Sequence, residues 1–233
     1  MRTCFVISCE HGGNQIPDDY RPLFRGYESL LDSHRGLDFG ALQLANALAD
    51  CLGAALFTAT VSRLLVDLNR SIRHPHLFSE VTRNLPSNTR QEILAHYYYP
   101  YRNTVETAIA EAIRRGSHMI HVSAHSFTPT LNGKLRQADI GLLYDPSKPL
   151  ERALCDDWQK VLKKTAPGLR IRRNYPYSGK ADGFTTYLRR RFAINHYAGI
   201  ELEVNQRYFF TEQARWPAVR DTILESLLKS TQA

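Results

Sequence analysis

Short apolar runs recur along this chain, and several of them stop at a residue able to do chemistry. Residues 3–9 read as a buried strand, being short, apolar and closed by the turn Glu10-His11-Gly12-Gly13. Residues 119–123 form a second run, followed by Ala124-His125-Ser126, and residues 199–204 a third, which contains Glu203. Further strands are expected over 54–60, 64–67, 139–144 and 169–172. Between them lie amphipathic helices over 37–52, 91–115, 150–165, 184–192 and 217–229. Strands separated by helices imply an α/β layer sandwich with a largely parallel sheet. Ligands of such sheets collect beyond the carboxyl ends of the strands, where His11, His125 and Glu203 are expected to lie.

The 233 residues suit one domain, 1–233, because no Pro/Gly/Ser-rich linker divides them. No apolar stretch is long enough to span a bilayer. The apolar start is too short and too early for a secretory signal. Four cysteines without C-x-x-C spacing argue against a cysteine zinc site, and Cys4 and Cys9 read as buried free thiols. A reducing, cytoplasmic setting is the expectation. The net charge of +7 gathers at Arg170-Ile171-Arg172-Arg173 and Arg189-Arg190-Arg191. No zinc-finger, RRM-like or helix-turn-helix pattern accompanies it, so these runs read as solvated helix faces plus a few site arginines rather than a nucleic-acid patch.

Two histidines at the ends of hydrophobic strands can hold a divalent metal. The fragment Asn69-Arg70 adds a guanidinium fork that matches a carboxylate. Together they describe a site gripping an anionic substrate beside an activated water. Catalytic zinc takes three protein ligands, a carboxylate moves the proton, and an arginine supports the oxyanion. The polar segment 68–89 reads as a long loop, a common carrier of function. The turn-rich segment 174–183 reads either as a surface loop or as a flap that touches ligand through Tyr177 or Ser178.

The segment from Ser8 to Pro17 resembles the opening motif of the N-formylglutamate amidohydrolase family. Matching pieces follow in order: His34 with Asp38-Phe39-Gly40, Ser62-Arg63 with Asp67-Leu68-Asn69-Arg70, Ala124-His125-Ser126, Asp139-Ile140-Gly141, Ser178-Gly179 with Gly183-Phe184, and the run from Leu202 to Arg207. That family resembles zinc carboxypeptidases and aspartoacylases. The resemblance therefore implies a three-layer, phosphorylase/hydrolase-like α/β fold with a parallel or mixed sheet. It implies one divalent ion, zinc, on His11 and His125, with Asn69 and Arg70 on a substrate carboxylate. Arg63 is then expected to polarise the scissile carbonyl and Glu203 to act as base, with Glu201, two residues away on the same strand face, in reserve. The zinc carboxypeptidase pattern has a Glu three residues after its first His, and here that position is Asn14. Asp38, read as opening a helix, is the candidate third ligand, with His34 as the alternative or as a residue orienting a ligand. The implied substrate is a small anionic N-acyl amino acid such as N-formylglutamate. A larger substrate with a terminal carboxylate, or a non-catalytic basic binding protein on a hydrolase scaffold, are the alternatives.

Overall fold

The computed structural model describes residues 2–231. Strands β1 (Arg2–Cys9), β2 (Ala55–Thr58), β3 (Ser117–Phe127), β6 (Ile140–Leu143), β7 (Ile171–Arg173) and β8 (Tyr197–Asn205) form one sheet, and β4 (Thr130–Leu131) pairs with β5 (Lys134–Leu135) in a separate hairpin. The order in the large sheet is β2-β1-β3-β8-β6-β7. Every neighbouring pair is parallel except β6 with β8, so the sheet is mixed, as expected. The helices are α1 (Glu28–Leu31), α2 (Ala41–Leu52), α3 (Ser87–Ile93), α4 (Tyr99–Arg114), α5 (Pro149–Thr165), α6 (Phe184–Arg191), α7 (Arg207–Phe210) and α8 (Trp216–Thr231). A π-helical turn over Leu94–Tyr98 joins α3 to α4.

Strand periodicity of two decides what each sheet face carries. On one face Ile7, Cys9, Val122, Ala124, Ile200, Leu202 and Val204 pack under α2, α5 and α8 around buried Trp158. On the other face, Val6, Met119 and Tyr197 meet α4 and α6 near the strand starts. Toward the strand ends that same face turns polar, with Ser8, His121, Ser123, His125 and Glu203 all buried. The parallel register sets Ser8 beside Ser123, Ser123 beside Glu201, and His125 beside Glu203.

Several local expectations are revised. Residues 64–67 are not a strand. Their backbone groups bond instead to Thr82 Oγ1 and to the Leu77 carbonyl, and Leu64, Leu65, Val66 and Leu68 are buried among Ile16, Tyr20, Phe24 and Leu77. The long polar loop is thus a packed body, anchored through Leu68 and Leu77 in a second apolar cluster. Helix α2 starts at Ala41, so Asp38 precedes the helix rather than opening it. Strand β3 runs on to Phe127, which puts His125 inside a strand rather than after one. Gly12 and Gly13 serve the chain's own packing: a Cβ on Gly13 would lie 2.5 Å from the Thr60 carbonyl oxygen. Cys4 is only half-buried, whereas Cys9 is buried.

The basic run at the end of α6 is also more structural than it reads. Arg189 is buried, its Nε donating to both Glu151 oxygens at 2.8 and 3.0 Å and its Nη groups to the Gly179 and Gly199 carbonyls. Arg191 pairs with Glu106. Removing one partner of a buried pair leaves the other charge uncompensated. E151Q is therefore expected to lower unfolding stability by about 3–5 kcal/mol, read from the urea midpoint at unchanged slope.

Candidate active site

The polar end of the sheet and the packed loops enclose a cleft of about 660 Å³, lined by His11, Asp38, Arg63, Asn69, Arg70 and Glu203 among others. At its floor, Asp38 Oδ2 lies 3.3 Å from His11 Nδ1 and 2.8 Å from His125 Nδ1. The ligating atoms of His11, Asp38 and His125 all lie within 4.8 Å of one another. Metal bonds of about 2.0–2.2 Å would draw such a trio to separations of roughly 3.3 Å. Asp38 reaches this point from the loop before α2, where its backbone N–H donates to the His11 carbonyl at 2.9 Å.

Each imidazole is held from behind by a carboxylate. His11 Nε2 lies 2.8 Å from Asp67 Oδ1, and His125 Nε2 lies 3.2 Å from Glu10 Oε2 and 2.8 Å from Ser123 Oγ. A ring that donates its Nε2 proton to such a carboxylate turns its Nδ1 lone pair inward. With both rings in that tautomer, two lone pairs and one carboxylate oxygen would face a common point, an arrangement that suits a cation. Charge agrees: the carboxylates of Glu10, Asp38 and Asp67 outnumber the single guanidinium of Arg63. Although burial opposes it, hydrogen bonds and charge from Asp38 and Glu10 hold the His125 pKa well above its ordinary value, so this ring supplies positive charge that a bound cation would replace. The residues present therefore fit a divalent ion.

Burial alone would raise these carboxyl pKa values, yet all three are held well below the usual range. The hydrogen bonds and charge of His125 act on Glu10, with His121 and Ser123 helping. His11, His125 and Arg63 act on Asp38, and Arg63, His11 and Arg70 on Asp67. Glu203 behaves oppositely. Burial, with the charges of Asp38 and Glu201, outweighs His125 and Arg63 and pushes its carboxyl up to about 8. Its Oε2 is buried without a hydrogen-bond partner. Glu201 on the same face already accepts a hydrogen bond from Thr185 Oγ1 at 2.8 Å.

Arg63 donates to Asp38 Oδ1 at 3.2 Å and to Asp67 Oδ2 at 2.9 Å, while its side chain keeps 24% of its surface exposed. Asn69 Oδ1 accepts the Phe184 N–H at 2.6 Å, which leaves its Nδ2 donor 3.4 Å from His125 Nε2. The third neighbour of that contact is Gly183, where a Cβ would crowd both Asn69 Oδ1 and Glu201 Oε1 at 3.1 and 3.0 Å. Arg70 donates through Nη1 to the Asp182 carbonyl at 2.6 Å, and its buried Nε has no partner.

All seven site residues singled out in the sequence thus reach one cleft. Asn14 does not: its Nδ2 donates to Asp32 Oδ1 and the Leu31 carbonyl. His34 lines the cleft without joining the His-Asp-His group, and burial, with the Arg136, Arg35 and Arg63 charges, lowers its pKa. The supporting roles of Glu10, Asp67 and Ser123 were missed. The available signal was position: Ser8, Glu10, Ser123 and His125 follow the alternation of one sheet face.

Comparison with known proteins agrees with this architecture. A crystal structure of a gene product of Agrobacterium tumefaciens is 27% identical, with a TM-score of 0.84 over 99% of this chain and 91% of that one. The N-formylglutamate amidohydrolase of Ralstonia eutropha shares the fold, with a TM-score of 0.71 at 19% identity over 98% of this chain and 92% of that one. No curated protein matches the chain. Among the described residues no helix is long and apolar enough to cross a membrane. The sequence model of N-formylglutamate amidohydrolase matches residues 3–210, and this chain accordingly belongs to the N-formylglutamate amidohydrolase family.

Proposed function

We propose that this protein is a cytoplasmic, metal-dependent amidohydrolase that removes a formyl-type acyl group from the nitrogen of an acidic amino acid such as N-formylglutamate. The observation that carries this reading is the convergence of His11, Asp38 and His125 beside the partnerless oxygen of Glu203. His11 Nδ1, Asp38 Oδ2 and His125 Nδ1 would hold one divalent ion, zinc by the preference of a nitrogen-and-carboxylate set. Such an ion, when bound, supplies Lewis acidity toward the amide carbonyl and lowers the pKa of a neighbouring water.

The remaining steps belong to the chain. Glu203 is the base: it takes the proton of the attacking water and passes it to the leaving nitrogen. Its buried setting suits both tasks, because a carboxyl with a raised pKa gives and takes a proton near neutral pH. Glu201, tied to Thr185, is the weaker candidate. Arg63 places positive charge beside the carbonyl oxygen as it becomes anionic, and its bonds to Asp38 and Asp67 fix where that charge sits. Asn69 Nδ2 and the unpaired Nε of Arg70 offer donors to the substrate α-carboxylate.

N-formylglutamate is expected to be hydrolysed faster than longer N-acyl amino acids or peptides. A preference for peptides in the same amine-release assay would overturn the substrate assignment. E203Q is expected to lower turnover by at least about a hundredfold while metal content stays at one ion per chain. Undiminished turnover would remove Glu203 from the mechanism. D67N loses the carboxylate behind His11 and is expected to weaken metal affinity roughly tenfold to a hundredfold, measured by competition with a chelating dye.

A further inference from the structure

One buried cation lies outside everything described so far. Arg102, on α4, is 4% exposed. Among the described residues no carboxylate pairs with it. Its guanidinium carbon instead lies 4.3 Å from the centre of the Phe184 ring, 4.6 Å from that of Tyr187 and 4.9 Å from that of Tyr98. Cation–π attraction offsets part of the desolvation of such a charge. An apolar side chain of similar size would fill the space without that desolvation, so packing alone does not account for a guanidinium here.

The hydrogen bonds give the charge a directional task. Arg102 Nη1 donates to the Leu68 carbonyl at 2.9 Å. Tyr98 Oη donates to the Arg70 carbonyl at 2.7 Å. These two carbonyls flank Asn69, so the peptide carrying Asn69 and Arg70 is gripped on both sides from one helical segment. Phe184, the ring nearest Arg102, supplies the backbone N–H that orients the Asn69 side chain. Tyr98 ends the π-helical turn and Arg102 stands four residues on, one turn along the same face. Inserted π turns re-aim side chains in this way.

We propose that Arg102, with Tyr98, is a positioning residue that sets the Asn69–Arg70 pair for recognition of the substrate α-carboxylate. This rests on the assignment of Asn69 and Arg70 made above. Arg102 touches neither substrate nor metal ligands. Its loss should therefore move carboxylate recognition and leave the chemical step alone.

The test compares N-formylglutamate with its α-carboxamide counterpart on zinc-loaded R102M, R102K, Y98F and R70M. R102M is expected to raise KM for the acid by about tenfold with kcat within about threefold, and to leave KM for the amide unchanged, so that the preference for the acid shrinks. R102K, which keeps the charge and one donor, restores part of that preference. Y98F removes a single hydroxyl without disturbing the core and shifts the preference the same way by a smaller factor. It decides the matter if R102M does not fold. An unchanged acid-to-amide preference in R102M, or in Y98F where R102M is insoluble, overturns the proposal, as does an equal rise in KM for both substrates. If R70M also keeps the preference, the failure lies in the carboxylate assignment of Arg70 and not in the part given to Arg102.

Discussion

One carboxylate oxygen, Asp38 Oδ2, stands between two imidazoles, and the site is organised around it. The arrangement buries a carboxylate charge, and the two imidazoles and Arg63 offset that cost. The fold maintains it by fixing every participant separately. Arg63 occupies the other Asp38 oxygen, Asp67 and Glu10 hold the outer nitrogens of the two rings, and a backbone bond to His11 fixes Asp38 itself. A site built this way meets its ligand with little rearrangement, which is the condition for effective electrostatic catalysis.

The two sheet faces divide the work. The face under α2, α5 and α8 carries the main core. The opposite face is apolar near the strand starts, and further along it carries Ser8, His121, Ser123, His125, Glu201 and Glu203. His121 shows that polarity on this face extends inward beyond the cleft. It bonds Ser8 Oγ and Tyr197 Oη at 2.7 Å each, and burial lowers its pKa to about 4, keeping the ring neutral. Stability and chemistry are thereby assigned to different residues of the same strands.

Much of this was legible because strand periodicity is local. The spacing of His121, Ser123 and His125, and of Glu201 and Glu203, already places each set on one face once a strand is assumed. The order of strands could not be read, since it depends on contacts between distant segments, and with it went the pairing of His125 with Glu203. Residues 64–67 look like a strand because Leu64, Leu65 and Val66 are apolar and β-compatible. Their burial is against Ile16, Tyr20, Phe24 and Ile93 from distant segments, a tertiary effect that propensity does not report. The pair Gly12-Gly13 is legible as the turn that closes the first strand, but its constraint, the approach of the Ala59–Thr60 backbone, lies elsewhere in the chain. Arg102 carried no sequence signal, because its meaning lies in three rings and a carbonyl brought from elsewhere in the chain.

X-ray absorption at the zinc edge of the loaded protein addresses the Asp38-centred cluster most directly, independently of turnover. Two imidazole nitrogens and a carboxylate oxygen at about 2.0–2.2 Å, with the outer-shell scattering of the rings weakened in a variant lacking either histidine, is the expected result. Sulfur at about 2.3 Å, or a spectrum indifferent to loss of His11 and His125, would contradict the account.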